Sequence, residues 1–198
     1  MIKKICFMCI FLVCACTTIP IGYLDTLGTA YKSLRNYPGT EIDKDYYDGF
    51  QYSFIRAQFS GAPPVILVLS KVENNEFFWV GSDGSTLTTN QDGKIIKTEG
   101  INRDIEFIST SKKKYKLNLF NPDAFYQPYE SNLTKPTYTN IKYLDGEISV
   151  MLKEEEFNSK IIGWKNTNRY YYYEGRPIRT IQNIHPYLPS LRLDFYYK

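Results

Sequence analysis

The stretch VILVLSKVENNEFFWVGSDGSTLTTNQDGKIIKT, residues 65–98, decides the fold. Its first eight residues form the most apolar run of the body, short and rich in β-branched side chains, which predicts a central strand over 65–72. Glu73-Asn74-Asn75 reads as a turn, and Phe77-Phe78-Trp79-Val80 as the next strand. Ser82-Asp83-Gly84 is a second turn. Strands over 85–89 and 94–98 then flank Asn90-Gln91-Asp92-Gly93, whose Asp-Gly pair suits the positive φ of a tight hairpin.

Outward from this stretch the same grammar continues. Residues 51–59 predict a strand that Ala62-Pro63-Pro64 breaks. Residues 104–108 and 115–120 predict two more around the lysine-rich turn at 112–114. Residues 121–136 have little periodicity and three prolines, and are expected to be a long loop or a hinge. Further strands are expected over 137–143, 147–153, 160–165, 169–173, 178–184 and 191–197, with turns at Asp145-Gly146 and Glu174-Gly175. One helix is expected, over 21–36, from apolar residues at three- and four-residue spacing; Tyr37-Pro38-Gly39 stops it. The aromatic share of 16% points the same way as the periodicity, because such side chains fit a pleated, half-buried surface. Many short strands at close spacing predict an all-β, mainly antiparallel fold. A curled sheet or a β-sandwich-like single domain over 21–198, with one N-terminal helix, is the expected architecture.

The N-terminus speaks to compartment. Met1-Ile2-Lys3-Lys4 is a short basic segment, and nine apolar residues follow, too few for a membrane span of about 20 residues. Val13-Cys14-Ala15-Cys16 then looks like a lipobox, with a small residue before the cysteine that takes the lipid. We therefore expect a signal peptide over 1–15, acylated Cys16, and a tether over 16–20. Thr17 is not the Asp of an inner-membrane retention signal, which favours the outer membrane. All four cysteines lie at or before Cys16, so no disulfide framework is available to the body. The formal charge is +3, and Lys3 and Lys4 lie in the leader, so the remainder is close to neutral. Nothing in that balance calls for nucleic acid.

Chemistry is sparse. With one histidine, His185, and no cysteine past Cys16, the usual zinc constellations are excluded, and neither a metal nor a cofactor is expected. His185 reads as a surface loop residue. Glu154-Glu155-Glu156 reads as a solvated charge run in a turn rather than a glycosidase pair, which needs carboxylates on opposite sides of a substrate. Tyr170-Tyr171-Tyr172-Tyr173 puts tyrosines on both faces of one strand. The plain reading places one face in the core and the other in cross-strand pairs. The sharper reading makes Tyr170 and Tyr172 a contact for glycan or a partner.

The order Tyr52-Ser53, the apolar strand at 64–69, Trp79-Val80-Gly81-Ser82-Asp83-Gly84, Leu87-Thr88-Thr89, and Gly93-Lys94-Ile95-Ile96-Lys97-Thr98 resembles the YjbF/GfcB family of lipoproteins. Asn168-Arg169-Tyr170-Tyr171-Tyr172 and Gly175-Arg176-Pro177-Ile178-Arg179 extend the likeness more weakly. Lys94 stands where the family often has Arg, and Ser70 where Gly is common. The resemblance implies an outer-membrane lipoprotein facing the periplasm, encoded with exopolysaccharide or group 4 capsule genes. Its partners would be the membrane, through the lipid anchor, and polysaccharide-secretion proteins or glycan. It carries over no catalytic residues, and Trp79, Asp83, Gly84 and Gly93 read as core and turn positions. A non-enzymatic accessory is the expected function. A carrier with a lipid or glycan groove in the curled sheet is the alternative, and a glycan hydrolase a more distant one.

Overall fold

The computed structural model describes residues 41–198, apart from 102, 112–113, 120–124 and 161–162. Among the described residues one short helix, α1 (Lys44–Gly49), precedes thirteen strands. They are β1 (Phe54–Phe59), β2 (Val65–Glu73), β3 (Glu76–Gly81), β4 (Thr86–Asn90), β5 (Ile95–Glu99), β6 (Ile105–Ser111), β7 (Lys114–Leu119), β8 (Phe125–Leu133), β9 (Thr137–Tyr143), β10 (Gly146–Ser159), β11 (Trp164–Tyr173), β12 (Arg176–Gln182) and β13 (Leu191–Tyr196). All pairings are antiparallel, and the strands form one sheet in the order β11-β12-β13-β1-β2-β3-β4-β5-β6-β7-β8-β10-β9. A further ladder joins β10 to β11, so the sheet curls until its order returns on itself. Of the two expected architectures, the curled sheet is the one adopted.

Local chemistry sets the reversals. Asn74 and Asn75 both have positive φ, 51° and 64°, between the paired ends Glu73 and Glu76, the backbone of a two-residue hairpin whose twist matches its strands. Glu174 and Gly175 repeat that geometry between β11 and β12. Between β9 and β10 it is Leu144 that takes φ 51°, a costly conformation for a bulky residue; its side chain packs against the second apolar cluster described below.

Alternation then sorts the side chains into two clusters. Ile55, Leu67, Trp79, Leu87, Ile95, Ile105, Phe157, Leu193 and Phe195 come from strands all around the curl and fill its concave side. Trp79 has no exposure; its indole Nε1 donates to Thr89 Oγ1 at 3.0 Å, and its ring meets Phe195 edge-on at 5.8 Å. On the convex side Phe54, Ile66, Val68 and Tyr196 pack with Ile42 and Phe50. Phe50 and Phe54 lie 4.4 Å apart, Phe54 and Tyr196 4.8 Å. This patch explains α1. Asp43 caps the helix by accepting from Tyr46 N at 2.7 Å, Asp45 sits favourably in the first turn, and Tyr46 and Tyr47 turn onto the patch. The tip of the β9–β10 hairpin covers the same face, with Tyr143 Oη donating to the carbonyl of Phe195 at 2.7 Å.

Several expectations change. Residues 121–136 hold a strand, β8, rather than a long loop. The proline reading failed because β8 pairs with β7 from Phe125 to Glu130 while its ladder to β10 begins only at Glu130. Pro128 thus falls where, among the described residues, the strand has a neighbour on one side, and a missing N–H is tolerated there. Of the strand expected over 160–165, residues 161–162 lie outside the described residues, Lys160 and Gly163 are in turns, and β11 begins at Trp164; β10 runs to Ser159, well past 153. Helix α1 was not foreseen. The helix expected over 21–36, the tether and Cys16 lie outside the described residues.

Gly84 and Gly93 both have positive φ, 83° and 76°, in different surroundings. A Cβ on Gly84 meets nothing within 4 Å, whereas one on Gly93 meets Pro177 Cβ at 3.0 Å, Thr180 Cγ2 at 3.1 Å and Phe195 Cζ at 3.2 Å. Gly84→Ala should cost only the left-handed backbone, about 1–2 kcal/mol. Gly93→Ala adds overpacking and should cost about 2–4 kcal/mol. Urea unfolding of the two variants checks this, and equal losses would refute the packing account.

Candidate functional site

The β4–β5 hairpin is folded against β12 and β13. Asn90 shapes it: its side-chain Oδ1 accepts from Asp92 N at 3.0 Å and Lys94 N at 2.9 Å, and its carbonyl accepts from Gly93 N at 3.0 Å. Buried Gln182 then stitches the hairpin to β12. Its Nε2 donates to the Gly93 carbonyl at 2.8 Å and its Oε1 accepts from Ile95 N at 3.0 Å, so the amide imitates a strand pairing. Gly93 permits this close approach, for the reason given above.

Behind the hairpin lies a buried carboxylate. Glu155, 4% exposed, points inward from β10 in register with Asn168 of β11. Lys94 Nζ donates to its Oε1 at 2.7 Å; Tyr170 Oη at 2.8 Å and Asn168 Nδ2 at 3.1 Å donate to its Oε2. Burial pushes the carboxyl up, but the Lys94 charge and these hydrogen bonds outweigh it and hold Glu155 below the ordinary value of 4.5. It is therefore an ionised, well-satisfied group at neutral pH. Asn168 Oδ1 in turn accepts from Asn183 N at 2.8 Å, so the network spans β5, β10, β11 and the end of β12.

A cavity of about 150 Å³ opens beside this network, between the hairpin, the inner face of β10 and β11, and Leu133 at the end of β8. Tyr170 and Tyr172, 4% and 7% exposed, form its floor. Tyr172 donates from Oη to the Asp92 carbonyl at 3.2 Å. Burial first, then the charges of Asp92 and Glu155, push its phenol well above the ordinary range, so it stays a donor. Lys153 enters from β10, its ammonium 4.6 Å from the centre of the Tyr172 ring.

The structure thus gathers Tyr170 and Tyr172 into one cavity, on the inward face of β11. The other sequence candidates lie elsewhere. Trp79 is in the core. Asp83 holds the β3–β4 turn by accepting from Ser85 N at 2.9 Å and Ser85 Oγ at 2.6 Å, and these bonds keep its carboxyl low. Gly84 is in the same turn. His185 is not a surface residue: it is 5% exposed, accepts from Tyr187 N at its Nδ1 (3.0 Å), and burial and then Arg103 lower its affinity for a proton. The acidic run 154–156 is also corrected. It lies within β10, where Glu154 faces outward to Arg169 at 2.9 Å while Glu155 faces in. Sequence reasoning missed Glu155, Lys94 and Lys153; the signal available was the alternation of a strand extended through the acids, which puts 153, 155 and 157 on one face. Among the described residues no three His, Cys, Asp or Glu side chains gather closely enough to hold a metal ion.

Three comparisons complete the picture. Residues 26–195 match the family described as group 4 capsule polysaccharide lipoprotein GfcB, YjbF. No curated protein sequence matches. The fold is similar to that of the crystal structure of the hypothetical lipoprotein YmcC from Escherichia coli (K12). The TM-score is 0.71 at 13% identity, over 87% of this chain and 95% of that one.

The buried pair predicts the acid limb of stability. The folded Glu155 carboxyl holds its proton less tightly than the unfolded one. Its stabilisation is complete above about 4.5 and is lost as pH falls through the lower folded value. Glu155→Gln should flatten the acid limb of a stability–pH curve measured by urea unfolding. Glu155→Leu, which removes the partner of Lys94, should cost about 3–5 kcal/mol at pH 7, and Lys94→Met in that background should recover part of it. An unchanged acid limb in Glu155→Gln would remove Glu155 from the account.

Proposed function

We propose a function from one established premise: the chain belongs to the YjbF family, the group 4 capsule polysaccharide lipoproteins. On our reading it is an outer-membrane lipoprotein acylated at Cys16 and facing the periplasm. It acts as a non-enzymatic accessory in the production or secretion of exopolysaccharide or capsule, touching glycan at the Tyr170–Tyr172 cavity. The leader sequence and the family's description support the anchor. Several acyl chains, each CH₂ contributing about 0.8 kcal/mol, suffice for stable attachment.

The observation that carries the non-catalytic reading is the state of Glu155. Two carboxylates, Asp92 and Glu155, line the cavity. A glycosidase needs one of its pair kept protonated as the acid. Glu155 is held ionised, and both its oxygens are taken by Lys94, Asn168 and Tyr170. Neither Asp83 nor Glu154 borders the cavity. An acyl-chain carrier finds little support, because the concave side is filled by Trp79, Phe157, Phe195 and their neighbours.

Deleting the gene and measuring surface polysaccharide tests this. Polymer should fall and return with the wild-type gene but not with Cys16→Ala, and the purified protein should release no new reducing ends from the polymer. Unchanged polymer in the deletion strain would sink the accessory role, and new reducing ends would sink the non-enzymatic one.

A further inference from the structure

We propose that the cavity beside Glu155 holds a single pyranose residue, a chain end or a side branch of a glycan, by a neutral hydroxyl-binding set made of Asp92, Asn90 and Lys153. The proposal rests on the reading that this protein handles glycan, and adds the site and the class of ligand.

Glu155 has both oxygens occupied, and the Tyr172 hydroxyl is given to the Asp92 carbonyl. Three groups on the cavity wall are different. Among the described residues the Asp92 carboxylate and the Lys153 ammonium make no hydrogen bond or ion pair, and the Asn90 side-chain amide makes none through its nitrogen. Their positions are nevertheless set. Two backbone N–H groups on Oδ1 orient Asn90, which also settles that its NH₂ is the free end. Lys153 is held over the Tyr172 ring, and the backbone of Asp92 is fixed by the hairpin turn.

An acceptor carboxylate, an amide donor and an ammonium donor on one rim suit neighbouring hydroxyls, which both give and take hydrogen bonds. Leu133 and the Tyr170 ring also line the cavity and supply apolar surface of the kind that the C–H face of a sugar needs. Charge argues for a hydroxyl-rich ring rather than an anion: the cavity has two lysines, Lys94 and Lys153, against two carboxylates, Asp92 and Glu155. Size argues for one residue. About 150 Å³ is the scale of a single ring, which fits a chain end or a side branch.

Saturation-transfer NMR on the full-length lipoprotein in detergent, with the methyl pyranosides of glucose, galactose and glucuronic acid, tests the proposal. Binding in the millimolar range is expected for a neutral pyranoside, weakened at least tenfold in Asp92→Ala and in Lys153→Met. Glu99→Gln, outside the cavity, should bind as the wild type does, and circular dichroism confirms that each variant is folded. The proposal is overturned if no pyranoside binds, if glucuronide alone binds, or if folded Asp92→Ala and Lys153→Met bind undiminished. The polymer measurement separates this from the accessory role: polymer loss on deletion together with absent pyranoside binding ends the cavity proposal and leaves the accessory role standing.

Discussion

Strand β10 carries ladders along both edges, and the rest of the molecule hangs on that fact. Along one edge its first half pairs with β9 and its second half with β8. Along the other it pairs with β11, from Met151 opposite Tyr172 to Ser159 opposite Trp164. Because β11 leads through β12 and β13 back to β1, this one ladder joins the last hairpins to the first strand and curls a meander into an enclosure. A long sheet of this kind has two edges to protect, and returning on itself removes most of them. The register also decides which side chains face inward. A slip of one residue would turn Glu155, Tyr170 and Tyr172 to solvent and bring Glu154, Arg169 and Tyr171 into the apolar interior.

Two buried carboxylates stand on opposite faces of the curled sheet. Glu155 is on the concave side with Lys94. Asp194, 1% exposed, is on the convex side, where Arg56, Arg179 and Arg192 reach it. Each ties separate elements together: the β4–β5 hairpin to β10 in the first case, β1 and β12 to β13 in the second. Such pairs add little net stability, because desolvation consumes much of the attraction; their larger effect is to penalise any alternative register that would leave one partner alone.

Most of the fold was legible from period-two alternation between turn residues. Every strand from β1 to β7 was found to within a few residues, because Asn-Asn, Asp-Gly and Glu-Gly reversals punctuate the chain. The failures share a cause. Pro128 in β8 and the Glu154–Glu156 run in β10 are poor strand formers by type, and only their neighbours in the sheet make them strands: a one-sided ladder in the first case, a buried lysine in the second. Alternation was masked in the same places. Of the site, the tyrosines could be seen because their residue type is conspicuous. Glu155 and Lys94 could not be paired from sequence, since 61 residues separate them and neither resembles a core residue until the other is beside it. Helix α1 is six residues long, too short for periodicity to reveal.

The tip of the β9–β10 hairpin does more than cover the convex patch. Asp145 Oδ2 accepts from Lys44 N at 3.1 Å, so the hairpin holds the first turn of α1, while Tyr47 donates from its hydroxyl to the carbonyl of Tyr197. Helix α1 is therefore clamped to the body by the β9–β10 hairpin on one side and by Tyr197, just after β13, on the other. Mechanically this is a strain relief. A load applied along the N-terminal side is shared among α1, β9, β10 and β13 before any single ladder bears it.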